Sequence, residues 1–193
     1  MSKARLECFS DGVIAVIITI MVFELKVPHG AEAAALLPLV PTFLSYILSF
    51  FFLCLYWNQH HHLLHATKQI NGSVMWANLH LLFWLSLIPF ATGYMDPNNF
   101  SGSPVALYGG VMFMAGTAYY ILQRALIAAN GKDSLLARAV GKKDVRALVS
   151  PILWLLGVLI ANFVTWIAIA IYILIAVMWL IPDRRIESAA SQS

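Results

Sequence analysis

Six apolar stretches, each close to the length of a bilayer-crossing helix, alternate with short polar segments along the chain. A hydrocarbon core of about 30 Å takes roughly 20 residues of helix. On that measure the spans fall at about 9–27, 35–60, 74–94, 105–128, 147–163 and 165–181. The polar punctuation fits. Pro28-His29-Gly30 stops the first span, and the Asn71-Gly72 turn signal precedes the third. Asp96-Pro97-Asn98-Asn99 closes the third. The fourth is rich in small residues (Gly109, Gly110, Ala115, Gly116, Ala118), which let membrane helices approach closely. A basic connector runs from Asn130 to Arg146, a tight turn near Asn162 separates the last two spans, and Asp183-Arg184-Arg185 follows them. The pattern predicts an all-α membrane protein with one six-span domain over residues 1–193.

Composition strengthens that reading. The chain is 61% hydrophobic and 11% charged, with mean hydropathy +0.79, whereas soluble domains carry roughly 25% charged residues. The expected partner is a lipid bilayer, not nucleic acid. The first span follows few basic residues and lacks an A-x-A-like cleavage site, so it reads as a retained helix and not a signal peptide. Cys8 and Cys54 fall in or beside spans and support neither a disulfide framework nor a thiolate metal cage. Lysines and arginines orient the chain. With the N-terminus, the 2–3 and 4–5 connections and the C-terminus on one side, that side holds every basic residue except Lys26. The positive-inside rule then puts both termini in the cytoplasm and requires an even number of spans.

The first span carries the most informative chemistry. Residues follow one another at about 100° around a helix. Arg5, Phe9, Gly12, Val16, Ile20, Phe23 and Val27 then share a stripe about 80° wide, flanked by Val13 and Thr19. Asp11 points about 140° from Val16 and about 120° from Arg5, so Arg5 and Asp11 do not pair comfortably within one helix. A charge this near a membrane span is costly without a partner. Asp11 therefore needs one elsewhere: a histidine, Asn78, Trp76 or another subunit. Periodicity alone leaves the stripe open between ordinary packing and an ion path.

Four of the six histidines cluster at the end of the second span, in Trp57-Asn58-Gln59-His60-His61-His62-Leu63-Leu64-His65. His61 and His65 have the one-turn spacing of a metal pair, but no glutamate completes an HExxH motif and no second ligand cluster exists. Hydrogen bonding at the cytoplasmic membrane edge, metal binding and proton sensing are the readings open to this cluster; hydrogen bonding is the simplest, and no metal site is assigned. In the third span Asn78, His80, Ser86, Pro89 and Thr92 interrupt the apolar run. Pro89 frees a backbone carbonyl that Ser86 is placed to satisfy. No nucleophile elbow, phosphate loop, paired intramembrane carboxylates or TVGYG filter is present, so neither an enzyme nor a carbonyl-filter channel is indicated.

The motif Arg5-x-x-x-Phe9-Ser10-Asp11, leading into Gly12-Val-Ile-Ala-Val-Ile-Ile-Thr19, resembles the hallmark of the lysosomal and bacterial potassium channels of the transmembrane protein 175 family. Trp57-x-x-His60 and the pair Asn78 and Pro89 extend the likeness, which covers the first three spans by motif and the remainder by layout. The resemblance implies a potassium-conducting channel without a carbonyl filter, of weak to moderate selectivity, in a bacterial inner membrane. As a single six-span unit it implies a homotetramer whose first helices surround the pore. Carried over by position, Val16 is the constriction, Thr19 the pore-lining hydroxyl, and Ile20 and Phe23 the next layers. Val16 is smaller than the leucine or isoleucine expected there, which makes Ile20 a second candidate for the tightest layer. Arg5, Phe9, Ser10, Asp11, Trp57, His60 and Asn78 fall to a polar network that fixes helix packing. No cofactor is implied beyond the permeant potassium ion. The competing reading is a proton-coupled secondary transporter using Asp11 and the His60–His65 cluster, against which no paired interrupted helices are evident.

Overall fold

The computed structural model describes residues 2–28, 32–95, 100–131, 133–134, 136–137 and 145–180. Among these the chain is helical, without strands: α1 (Lys3–Val22), a 3-10 segment (Ala33–Leu39), α2 (Val40–His65), α3 (Gly72–Ser86), α4 (Ile88–Met95), α5 (Gly102–Asn130), α6 (Val145–Ile160) and α7 (Thr165–Leu180). Helix stands at each of the six expected spans. Three segments, Ala33–His65, Gly72–Met95 and Gly102–Asn130, are long and apolar enough to cross a membrane on their own. The first helix is diluted by Lys3, Arg5, Glu7 and Asp11. Helices α6 and α7 have 16 residues each, about 24 Å of helix, joined by the expected turn at Ala161–Val164. The Asp96–Asn99 stop, His29, Gly30, Ile181, Arg184, Arg185 and the connector's Lys132, Arg138, Lys142 and Lys143 lie outside the described residues.

Two expectations about the spans need correction. The first helix starts at Lys3 and ends at Val22, not near 9 and 27. Phe23, Glu24 and Leu25 donate their N–H groups three residues back, to Ile20, Met21 and Val22, tightening the last turn. Pro28 disfavours helix at Val27. The regular helical stripe therefore runs from Arg5 to Ile20, with Phe23 as the capping residue. The third span, secondly, is two helices. Pro89 has no N–H to offer the Leu85 carbonyl, and α3 ends at Ser86, capped by Leu87, whose N–H turns to Leu85 and Trp84. Ser86 does not serve the freed carbonyl; its hydroxyl donates to the Phe83 carbonyl at 2.7 Å. The hydrogen bond from Ala91 N–H to the Leu87 carbonyl starts α4.

Helix α5 is the hub, packing against α3, α4, α6 and α7, while α1 lies at the margin on α2, α3 and α4. The buried positions of α5 (Val105, Tyr108, Met112, Ala115, Leu122, Leu126) recur at helical spacing, with small residues where neighbours come close. The tightest approach is at Tyr172 of α7. A methyl group added at Gly109 of α5 would fall on its hydroxyl, and one added at Gly157 of α6 would meet its ring. That hydroxyl donates to the Val105 carbonyl at 3.2 Å. The ring lies 4.8 Å from Trp154 and 6.0 Å from Tyr108 between centroids, and Trp154 in turn meets Phe52 of α2 at 5.3 Å. One aromatic cluster thus ties α2, α5, α6 and α7 together.

Gly157→Val should destabilise the detergent-solubilised protein by about 1–3 kcal/mol, the usual cost of overpacking. Tyr172→Phe removes one hydrogen bond of about 0.6 kcal/mol and should barely move the midpoint. A thermal melt followed by tryptophan fluorescence ranks the two, and the reverse order would show that the hydroxyl, not the close fit, carries the stability.

Candidate pore helix and its anchoring network

Helix α1 has two faces. Leu6, Ser10, Ile14, Ile17 and Met21 are buried against the bundle. About 120° round the helix, Phe9, Val16 and Ile20 are 49%, 56% and 46% exposed, and Phe23 beyond them is 78% exposed. Thr19 is also exposed, and its hydroxyl donates to the Ala15 carbonyl at 2.8 Å. With its proton used, the Thr19 oxygen offers only lone pairs outward. The exposed face borders an open, largely apolar groove of about 760 Å³ between α1 and the α3–α4 break, where Ser86, Pro89 and Phe90 form the far wall.

Buried polar chemistry sets which face is which. Ser10, Asn78 and His60 are all fully or almost fully buried. The Asn78 amide donates from Nδ2 to Ser10 Oγ at 2.9 Å. Its Oδ1 lies 2.7 Å from His60 Nε2. A carbonyl oxygen only accepts, so Nε2 carries the proton. One side chain of α3 thereby holds α1 and α2 together. A second link sits at the surface. Trp57 Nε1 donates to Asp11 Oδ1 at 2.9 Å, which supplies the partner that Asp11 requires. Trp76, another expected partner, is 75% exposed, and Asn78 is occupied by Ser10 and His60. Trp57 stacks on His61, and His61 on His65, each at 6.1 Å between ring centroids. Lys3 Nζ reaches the His65 carbonyl at 3.2 Å and Glu7 at 3.7 Å.

Five of the seven expected network residues therefore meet, in the buried Ser10–Asn78–His60 chain and the exposed Asp11–Trp57 pair. Arg5 and Phe9 do not join them within the chain. Arg5 is exposed with no hydrogen bond or ion pair among the described residues, and Phe9 lines the groove. The histidine ladder brings no third metal ligand: among the described residues no group of three or more His, Cys, Asp or Glu could hold an ion. His80, isolated in sequence, accepts a hydrogen bond from Trp84 Nε1 at 3.0 Å. Sequence reasoning missed Glu24, whose carboxylate rests on α4 at Gly93, where an added methyl would fall on it. No spacing or motif signals that pairing.

Asn78→Leu should cost about 1–3 kcal/mol, because it leaves two buried polar groups unpaired. Asp11→Asn, which keeps an acceptor for Trp57, should cost much less. Detergent melts of both variants test this, and equal losses would move the anchoring role from the buried chain to the surface pair.

With the geometry in place, likeness to known proteins can be stated. Residues 5–89 match the family model described as endosomal/lysosomal potassium channel TMEM175. A protein of Chryseobacterium sp. (strain P1-3), named a potassium channel, is 49% identical over 193 residues, covering 100% of both chains. The human protein named endosomal/lysosomal proton channel TMEM175 is 33% identical over 117 residues, which are 54% of this chain and 23% of the human one. The crystal structure of a lysosomal potassium-selective channel TMEM175 homolog from Chamaesiphon minutus superposes with a TM-score of 0.80 at 22% identity, covering 92% of this chain and 96% of that one. The fold is shared with that channel, and the match to the Chryseobacterium protein is end to end. The chain is a multi-pass integral membrane protein of the TMEM175 ion-channel family, not an enzyme.

Proposed function

We propose that the chain is one subunit of a homotetrameric cation channel that conducts potassium passively, with both termini in the cytoplasm and residues 1–193 forming a single channel domain. The observation that carries this reading is the two-faced first helix. One side is locked into the bundle by Ser10, Asn78 and His60, and the other leaves Val16 and Ile20 about half exposed among the described residues. An apolar stripe in a membrane helix has three natural neighbours: lipid, another subunit or a pore. Four copies arranged around an axis place the stripe at a pore and the flank of α1 against the next subunit. The name of the Chryseobacterium relative, a potassium channel, supports the same assignment.

In this arrangement Val16 and Ile20 form the hydrophobic constriction, with Thr19 beside them and Phe23 at the outer end. A narrow apolar ring excludes water until it widens, so it gates by dewetting. Potassium sheds water more readily than sodium, and a dehydrating ring therefore favours it. The outward lone pairs of Thr19, left free by its bond to Ala15, replace part of the lost hydration. Selectivity built this way is weak to moderate. Ser10, Asp11, Trp57, His60 and Asn78 hold the helix at its angle and stay off the ion path, while Arg5 is directed to a neighbouring subunit and Phe9 shares the exposed face with Val16 and Ile20. No cofactor takes part.

A second reading has one observation in its favour. Asp11 is exposed and bonded to Trp57, at the head of the Trp57–His61–His65 stack, which sets a carboxylate and two imidazoles along one face, and the human relative is named a proton channel. It takes the form of proton permeation or a proton-coupled transporter using Asp11 and the His60–His65 cluster.

Purified protein in liposomes under a potassium gradient separates the two. Current reversing near the potassium equilibrium potential, at rates above carrier turnover, is the expected result. Electroneutral or proton-following flux would favour the second reading. Val16→Asn and Ile20→Asn should each raise flux several-fold and reduce preference for potassium over sodium, by wetting the ring. Unchanged currents in both variants would make the stripe a packing surface.

A further inference from the structure

The groove beside α1 is bordered by apolar and small neutral side chains except at one end, where Glu24 stands. It follows Ile20 by one turn and lies at the end of α1 opposite the Ser10–Asp11 motif. Glu24 forms no ion pair with Lys26 or with any other described residue. It is exposed, and its carboxylate lies beside Gly93 of α4, in space that a Cβ there would occupy. With no cation paired to it among the described residues, its charge acts on whatever ions pass that end of the groove.

We propose that Glu24 is a conductance-determining residue at the outer mouth: its unpaired carboxylate, beside Gly93, concentrates cations at the end of the exposed face of α1. The proposal rests on the channel reading above, which places this end of α1 outside and repeats the carboxylate around the pore. A mouth of one charge sign raises the local concentration of the opposite ion, and the effect fades with ionic strength. The Debye length falls from about 30 Å at 0.01 M to about 3 Å at 1 M, so a fixed outer charge has a recognisable salt signature.

Single-channel or liposome potassium conductance of the full chain tests it, with outer potassium at ~10 mM and ~1 M. Glu24→Gln should lower conductance roughly three- to tenfold at the low concentration and match the wild type at the high one. Glu24→Asp should keep most of the wild-type value. Gly93→Ala, which shifts the carboxylate without removing it, should stay close to the wild type. Equal conductance of Glu24→Gln and wild type at ~10 mM, or a loss of the same size at both concentrations, would overturn the role of Glu24 while leaving the channel standing. A wild type that passes no potassium would instead remove the channel reading, and this inference with it.

Discussion

The carboxamide of Asn78 is the interaction on which the arrangement of α1 depends. A membrane-embedded bundle gains little specificity from apolar contact, since lipid tails are as apolar as leucine. A buried amide is different. Its donor and acceptor must both be matched, and here Ser10 takes one and His60 the other. Turning α1 by a single residue would swing Ser10 about 100° away and leave the buried Asn78 amide N–H without its acceptor. The cost of that error fixes which residues of α1 face inward. Val16, Thr19 and Ile20 face outward because Ser10 cannot.

The rest of the fold contrasts with this. Around α5 the fit is steric: Gly109 and Gly157 receive Tyr172, and Phe52, Trp154, Tyr108 and Tyr172 interlock. Four helices share that cluster, whereas α1 sits outside it on α2, α3 and α4. The molecule therefore has a scaffold held by shape and a peripheral helix held by hydrogen bonds. Shape tolerates little displacement. Hydrogen bonds hold direction while leaving the helix's far end freer.

What could be read from residues alone follows the same division. The spans were legible because long apolar runs have few other uses, and the turn near Asn162 lies where its residue types suggest. The motif at Arg5–Asp11 marked the family. Other details depended on partners that no local pattern reveals. Asp11 pairs with Trp57 because α2 happens to cross α1 at that height. Ser86 bonds Phe83, not the carbonyl that Pro89 abandons, because a serine reaches back along its own turn more easily than forward across a break. Phe23 was counted as part of a continuing helix, yet the chain tightens after Val22 ahead of Pro28. Arg5 has no partner in the described chain, and the contact between Glu24 and Gly93 joins residues with no pattern to announce it.

The break at Leu87 gives α1 two separate supports. Its first half is bonded to α3 through Asn78, and its last turns pack on α4, with Glu24 just beyond them beside Gly93. These two rods meet at a joint lacking one of its backbone hydrogen bonds, since Pro89 has none to give. A beam resting on two piers that are themselves hinged can tilt at one end while the other stays moored. Any swing of α4 about Leu87 would thus reach the last turn of α1 first, with the Ser10 mooring as its fulcrum.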